Sequence, residues 1–267
     1  MMKQIFNLIL RSKIYNNLHN FIGRKLFKLS KIFFVDVNFR KLPTTNHPLN
    51  INYEEELQKY KFTLNSKNVP FISYSHLIDL LKVSENFKKK KISFLDYGAG
   101  NLELFASLNK NIKKLEYFYT DQLQYNQIIK KIKNNEKIKN LNILDNVNKT
   151  KKNFDFIYFG ASLQYLPNYR KSLNQVFKKT KIIIISQSPF YFDKFNKRDI
   201  VLKQVNLSKT LNYLYLINFF QFNKFMNKNK FYLMSKNYNR VIKFLNFKNL
   251  KNNYKDADMY DLLFKKK

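Results

Sequence analysis

Four consecutive isoleucines, Ile182 to Ile185, stand between Lys181 and Ser186. A run that is apolar at every position buries both of its faces, as a central strand of a parallel sheet does. Parallel strands need crossover connections, most often helices, so this run commits the surrounding chain to an α/β architecture.

The alternation that this demands is present upstream. Apolar runs at Ile92–Tyr97, Leu115–Tyr119, Asn140–Leu144 and Phe154–Gly160 alternate with helical spacing at about Leu102–Leu108 and Gln122–Lys133. A further helix is expected over Asn168–Lys179, after Pro167. From about residue 91 to 186 the pattern predicts an open sheet wound on both faces, with ligands at the carboxyl ends of its strands.

The first of these runs opens into Asp96-Tyr97-Gly98-Ala99-Gly100, which holds two of only four glycines in the chain. Small residues let a backbone approach a ligand, and the first amides of the following helix point toward it. The third glycine of a dinucleotide fingerprint is missing, and so is the Gly-Lys-Ser/Thr of a nucleotide-phosphate loop. A strand-to-helix turn serving packing alone is the competing reading. Asp121 follows Asp96 by 25 residues, the spacing at which an acidic residue on the next strand's tip can hold ribose hydroxyls. It is equally placed to cap the helix that begins near Gln122.

Composition excludes several chemistries. The 267 residues are 45% hydrophobic, enough to bury a full core, and zero cysteines remove disulfides, thiolate catalysis and zinc–thiolate sites. The histidines, His19, His47 and His76, are too dispersed to suggest a metal site. A formal charge of +32 points toward nucleic acid or anionic membrane, but only six of the 50 basic residues are Arg, the side chain that reads phosphates bidentately. The Lys, Asn, Ile, Phe and Tyr excess is the set that AT-rich coding favours.

The first 45 or so residues carry Ile5, Leu8, Ile9, Leu18, Phe21, Ile22, Leu26 and Leu29 among Lys and Arg. That spacing predicts amphipathic helices, packed on the main domain or lying on a membrane surface. No apolar stretch is long enough to span a bilayer, and Arg11 and Lys13 interrupt the opening run before a signal-peptide core forms, so a cytoplasmic protein is expected. Residues 1–69 are read as a helical cap, with a helix opening at Glu54-Glu55-Glu56, and residues 70–267 as the main domain. A helix is expected over Phe71–Leu81, after Pro70. An insertion at about 190–234 includes the aromatic run Leu211–Phe220 and is read as lining a substrate pocket or packing on the core. A helix over Ser235–Leu245, then strands at Phe247–Asn252 and Ala257–Phe264, close the expected fold.

The Asp-x-Gly-x-Gly loop resembles the first motif of class I S-adenosylmethionine (SAM)-dependent methyltransferases. With Phe154-Asp155, Ser162-Leu163-Gln164-Tyr165-Leu166 and the Ile-rich strand leading to Ser188-Pro189-Phe190, the chain resembles an uncharacterised bacterial methyltransferase family often encoded near surface-polysaccharide genes. The resemblance implies a Rossmann-like, mostly parallel sheet with a C-terminal antiparallel hairpin and N-terminal helices. It implies SAM as cofactor, held by Asp96, Tyr97, Gly98, Ala99, Gly100, Asp121, Gln122 and Gly160, with Asp145 meeting the adenine amino group. Asn101 and Leu102 stand where that family's loop carries further glycine, and Ser186-Gln187 replaces its acidic and basic pair.

Methyl transfer is an in-line displacement, so the enzyme mainly aligns the acceptor and accepts a proton. Tyr165 and Gln164 are the candidates for acceptor contact, Gln187 and Ser188 for substrate binding, and His76 for a general base. No Asn/Asp-Pro-Pro-Tyr signature of nucleobase amino methylation follows Phe159. The expected acceptor is therefore a hydroxyl on a saccharide or other small molecule. The alternative is a noncatalytic protein of the same fold that binds nucleic acid or anionic membrane through its lysines.

Overall fold

The computed structural model describes residues 32–36, 41–43, 52–65, 77, 81, 91–205, 212–239, 245–246, 254 and 257–267. In order, these form β1 (Ile32–Asp36), α1 (Tyr53–Asn65), β2 (Ile92–Tyr97), α2 (Glu103–Asn111), β3 (Leu115–Thr120), α3 (Leu123–Asn135), β4 (Leu141–Ile143) and β5 (Phe156–Gly160). They continue as α4 (Tyr169–Val176), β6 (Ile182–Tyr191), β7 (Ile200–Val205), β8 (Asn212–Asn218), α5 (Phe219–Lys228), β9 (Phe231–Tyr238), β10 (Leu245–Asn246) and β11 (Asp258–Lys266).

The sheet runs β4-β3-β2-β5-β6, all parallel, and β11 then pairs antiparallel with both β6 and β9. The strand order reverses between β2 and β5, so the loop after β2 sits at the point where a crevice opens at the carboxyl edge. The isoleucine run forms the first half of β6 and is buried on both faces. Ile183 and Ile185 join Leu95, Ile157 and Phe159 under α4 and α5, while Ile182 and Ile184 join Phe94, Tyr117 and Phe156 under α1, α2 and α3. Side chains alternate strictly along each strand, which is why one continuous apolar run feeds two cores. Each large apolar side chain so buried contributes about 1.5–3 kcal/mol.

Beyond the isoleucines, β6 continues for six more residues to Tyr191, where Phe190 and Tyr191 pair parallel with Ile217 and Asn218 of β8. From there an outer arm, β8-β7-β1-β10, extends the sheet. The aromatic run 211–220 is thus mainly β8 and the start of α5, with Leu214, Leu216, Ile217 and Phe219 buried in the core.

Three local expectations change. Residues 32–36, within the segment read as amphipathic helix, are a strand paired with β7 and β10. Residues 235–238 of the expected helix 235–245 belong to β9, because the alternation that begins at Phe231 and Leu233 lets the segment pair with β11 and bury one face. The terminal hairpin is present, but it is built from β9 and β11, and the expected strand Phe247–Asn252 lies outside the described residues. Most of the expected helix 71–81 lies outside them too, and Leu77 and Leu81 are buried in the α1–α2 core. No helix among the described residues is long and apolar enough to cross a membrane.

Candidate functional site at the carboxyl edge of the sheet

The loop after β2 turns through two left-handed residues, Gly98 at φ +72° and Gly100 at φ +67°. Each glycine has a different reason to lack a side chain. A Cβ on Gly98 would stand 2.6 Å from Ser162 Cβ, so the loop from β5 packs directly on its backbone. The Ser162 hydroxyl donates to the Tyr97 carbonyl at 2.7 Å and holds that approach. Nothing comes within 4 Å of where a Cβ on Gly100 would stand. The Gly100 backbone therefore presents an open face, the space an approaching ligand needs.

Asp121, at the tip of β3, ties this loop to the neighbouring strand. One carboxylate oxygen accepts the Gly100 amide at 2.7 Å and the other accepts the Gln122 amide at 2.6 Å. Burial raises the Asp121 pKa, while these two amides pull it back. The Tyr119 hydroxyl donates to the Gly100 carbonyl at 2.5 Å, so both polar groups of Gly100 are anchored to β3. Asp121 does not cap α3 in the usual way: Gln122 is the N-cap residue, and its side chain makes no capping bond.

Asn126, on the first turns of α3, links the next tip. Its side-chain oxygen accepts the Asp121 amide at 3.0 Å, and its amide nitrogen donates to Asp145 at 3.2 Å. Asp145, just past β4, is exposed and paired with Lys130 at 2.7 Å, which lowers its pKa. Gly100, Asp121 and Asp145 are thus joined by one chain of hydrogen bonds along a single edge.

Asp96 lies beneath the loop. It is 2% exposed, accepts the hydroxyl of Tyr117, and has its pKa pushed up to about 7 by burial, with the charge of Asp121 adding to the rise and the tyrosine bond opposing it. Tyr97 stacks on Phe159 with ring centroids 4.9 Å apart, and its hydroxyl reaches Gln175 at 3.3 Å. Ala99 follows the turn with its amide 3.4 Å from the Thr120 carbonyl.

The tips of β5 and β6 form the other side. Gly160 leaves room for the ring of Tyr158, which would stand 2.2 Å from a Cβ there. Ala161 at φ +50° and Gln187 at φ +52° are non-glycine residues in the left-handed region, a conformation that costs energy and gathers at functional edges. Ser186 and Gln187 together oppose the single residue Asp261 of β11, a bulge in the antiparallel pair. The Asp261 carboxylate accepts the Ser186 hydroxyl at 2.6 Å and the Gln187 amide at 2.9 Å, and Asn239 donates to both of its oxygens at 3.0 Å.

Gln164 is 1% exposed, and its side chain is spent inside the protein: its amide donates to the carbonyls of Ala161 and Gln187, and its oxygen accepts from Ser188. Ser188 is fully buried. Both brace the two tips against each other. Tyr165 is 38% exposed and half-buried Gln187 lies across the same pair of tips, so these two are the candidates that face outward. His76 lies outside the described residues.

Sequence reasoning missed Tyr117, Tyr119, Asn126 and Asp261. The alternation Leu115-Tyr117-Tyr119 was a usable signal, since it places two hydroxyls on the face that carries Asp96. Asp261 offered none, being 75 residues from Ser186.

No family model matches the sequence, and no curated protein matches it. Solved structures share its fold. A SAM-dependent methyltransferase from Clostridium acetobutylicum aligns at TM-score 0.50 and 13% identity, over 80% of this chain and 98% of its own. Magnesium protoporphyrin IX methyltransferase from Synechocystis, with bound SAH, aligns at TM-score 0.51 and 10% identity, over 80% and 96%. The N-terminal domain of EvdMO1, solved in the presence of SAH and D-fucose, aligns at TM-score 0.51 and 8% identity, over 81% and 98%. The chain has the mixed sheet of Rossmann-like methyltransferases, mostly parallel with an antiparallel C-terminal hairpin.

Proposed function

We propose that this chain is a SAM-dependent methyltransferase whose acceptor is a hydroxyl on a saccharide or other small molecule. The observation that carries the reading is the Gly100–Asp121 bond beside an open Cβ face, with Asn126 extending the same network to Asp145. The residues fit the group. Each carboxylate oxygen of Asp121 has a second lone pair beyond the amide it already accepts, and two such acceptors suit a pair of ribose hydroxyls. Asp145, exposed at the next tip, supplies an acceptor for an amino group. Two of the three structures described above were solved with SAH, which supports the same cofactor class here.

The cofactor, when bound, supplies a methyl group made electrophilic by a sulfonium. The chain's own contribution is alignment. The open face of Gly100 admits the ligand, Asp121 fixes its rotation, and the Ser162–Gly98 contact keeps the loop from shifting. Tyr165 and Gln187 face the acceptor side, where a hydroxyl must be held in line and its proton accepted. The polysaccharide setting and a cytoplasmic location are carried by the sequence resemblance and the sequence's lack of a membrane-spanning run.

Isothermal calorimetry with SAM and with its demethylated product tests the reading. Saturable heat is expected from the wild type, with affinity falling at least about tenfold in Asp121→Ala, as loss of a buried charged acceptor predicts. No heat at millimolar ligand would sink it.

A further inference from the structure

At the opposite edge of the sheet lies a cavity of about 740 Å³ lined by Asn153, Phe154, Asp155, Thr180 and five lysines, Lys178, Lys179, Lys181, Lys266 and Lys267. Its walls come from the segment entering β5, the turn between α4 and β6, and the end of β11. These are the amino-terminal ends of the parallel strands. The five residues of β5 alone separate it from the carboxyl edge by roughly 17 Å at 3.3 Å per residue. It is therefore a second site.

Several lysines elsewhere are neutralised by carboxylates. Glu116 takes Lys91 and Lys152, Asp145 takes Lys130, and Glu55 and Glu56 share Lys59. None of the five cavity lysines has a carboxylate partner among the described residues. Lys179 donates to the Thr150 carbonyl at 2.5 Å and Lys266 to the Phe177 carbonyl at 3.3 Å, while Lys267 lies 4.6 Å from the centre of the Tyr232 ring. These contacts position ammonium groups without neutralising them. The one acidic side chain in the lining, Asp155, accepts the Ser93 amide and the Ser93 hydroxyl, both at 2.9 Å.

Five positive groups gathered around a concave space form an anion site of high charge density, and lysine binds phosphate as a point charge. The volume falls within the range of small-ligand pockets, so the occupant is small. We propose that this cavity binds a multiply charged phosphate group, of the kind carried by a pyrophosphate ester or a phosphorylated lipid headgroup. The site does not depend on the methyl-transfer reading.

The test uses the full chain, with pyrophosphate as one probe and vesicles of phosphatidylcholine containing phosphatidic acid as the other. Lys178 and Lys181 are exposed, so Lys178→Gln/Lys181→Gln removes charge without disturbing the core, and Lys267→Gln is an independent second variant. Lys139→Gln/Lys171→Gln removes the same charge from exposed positions elsewhere and serves as the control. Wild type and control are expected to bind at least one probe saturably, and the cavity variants to lose at least about tenfold in affinity, as removing charge-assisted contacts should. Loss confined to the pyrophosphate arm assigns a soluble ligand, and loss in the vesicle arm assigns a headgroup. Absence of binding to both probes, or equal weakening by the cavity variant and the control, overturns the proposal.

Discussion

The Gly100 amide donates to Asp121 across 2.7 Å, so the glycine loop and the tip of the adjacent strand hold each other in place before any ligand arrives. Asp121 also accepts the Gln122 amide, and removing its side chain leaves two donors without their acceptor. Asp121→Ala is expected to lower stability by about 1–3 kcal/mol, the cost of stranding the partly buried Gly100 amide. Chemical denaturation at pH 7 measures it, and Asp121→Asn, which keeps one oxygen acceptor, should recover part of the loss.

The two glycines of the loop should respond differently to the same substitution. Gly98→Ala drives a methyl to 2.6 Å from Ser162 Cβ on a residue at φ +72°, and is expected to destabilise by more than the roughly 1–2 kcal/mol of left-handed strain alone. Gly100→Ala meets no neighbour, so its stability loss should be limited to that strain, while SAM affinity falls because the methyl fills the open face. Paired unfolding and binding measurements on both variants separate packing from ligand approach.

Asp96 sets a pH signature. Its pKa is about 7 in the folded protein against 3.8 for an unperturbed aspartate, so between those values the unfolded chain has released a proton that the folded chain retains. Stability contributed at this position is therefore highest below 3.8, declines as pH rises toward 7, and is lowest above that. Asp96→Asn should match the wild type at acidic pH and exceed it at pH 8, with Tyr117 still able to donate to the amide oxygen. Denaturation curves of both proteins from pH 4 to 8 give the difference directly, and parallel curves would refute the assignment.

Asp261 fixes the bulge at Ser186 and Gln187. Asp261→Ala removes the acceptor for the Gln187 amide and for the Ser186 hydroxyl. Exchange of the Gln187 amide proton is expected to accelerate at least about tenfold, with a stability loss of about 1–3 kcal/mol. Hydrogen-exchange mass spectrometry on peptides covering residues 184–190 reads this, and unchanged exchange there would mean that the bulge holds itself.

The parallel half of the sheet was legible because its signals are local. Four isoleucines in a row, the glycine pair at a strand end and acidic residues at successive tips each report one strand, and their order reports the winding. What was illegible depends on partners distant in sequence. Ser235–Asn237 reads as helical until β11 supplies a pairing edge, and β1 forms by pairing with β7 and β10, well over a hundred residues away. Gln164 was read as an acceptor contact and Ser188 as a substrate-binding residue on their position at strand tips. Only the fold reveals that their polar atoms face each other, with Ser188 Oγ 3.1 Å from Gln164 Oε1.

β6 is shared property: its first half pairs with β5, and Phe190 and Tyr191 at its far end pair with β8. A fragment cut after the isoleucines would lack β8, β9 and β11 and would leave Ile182–Ile185 without their antiparallel partners Leu262–Lys265, an open apolar edge. The region whose sequence announces the fold most clearly is thus not an autonomous piece of protein, and recombinant truncations ending near residue 186 should collapse into aggregates rather than behave as a minimal domain.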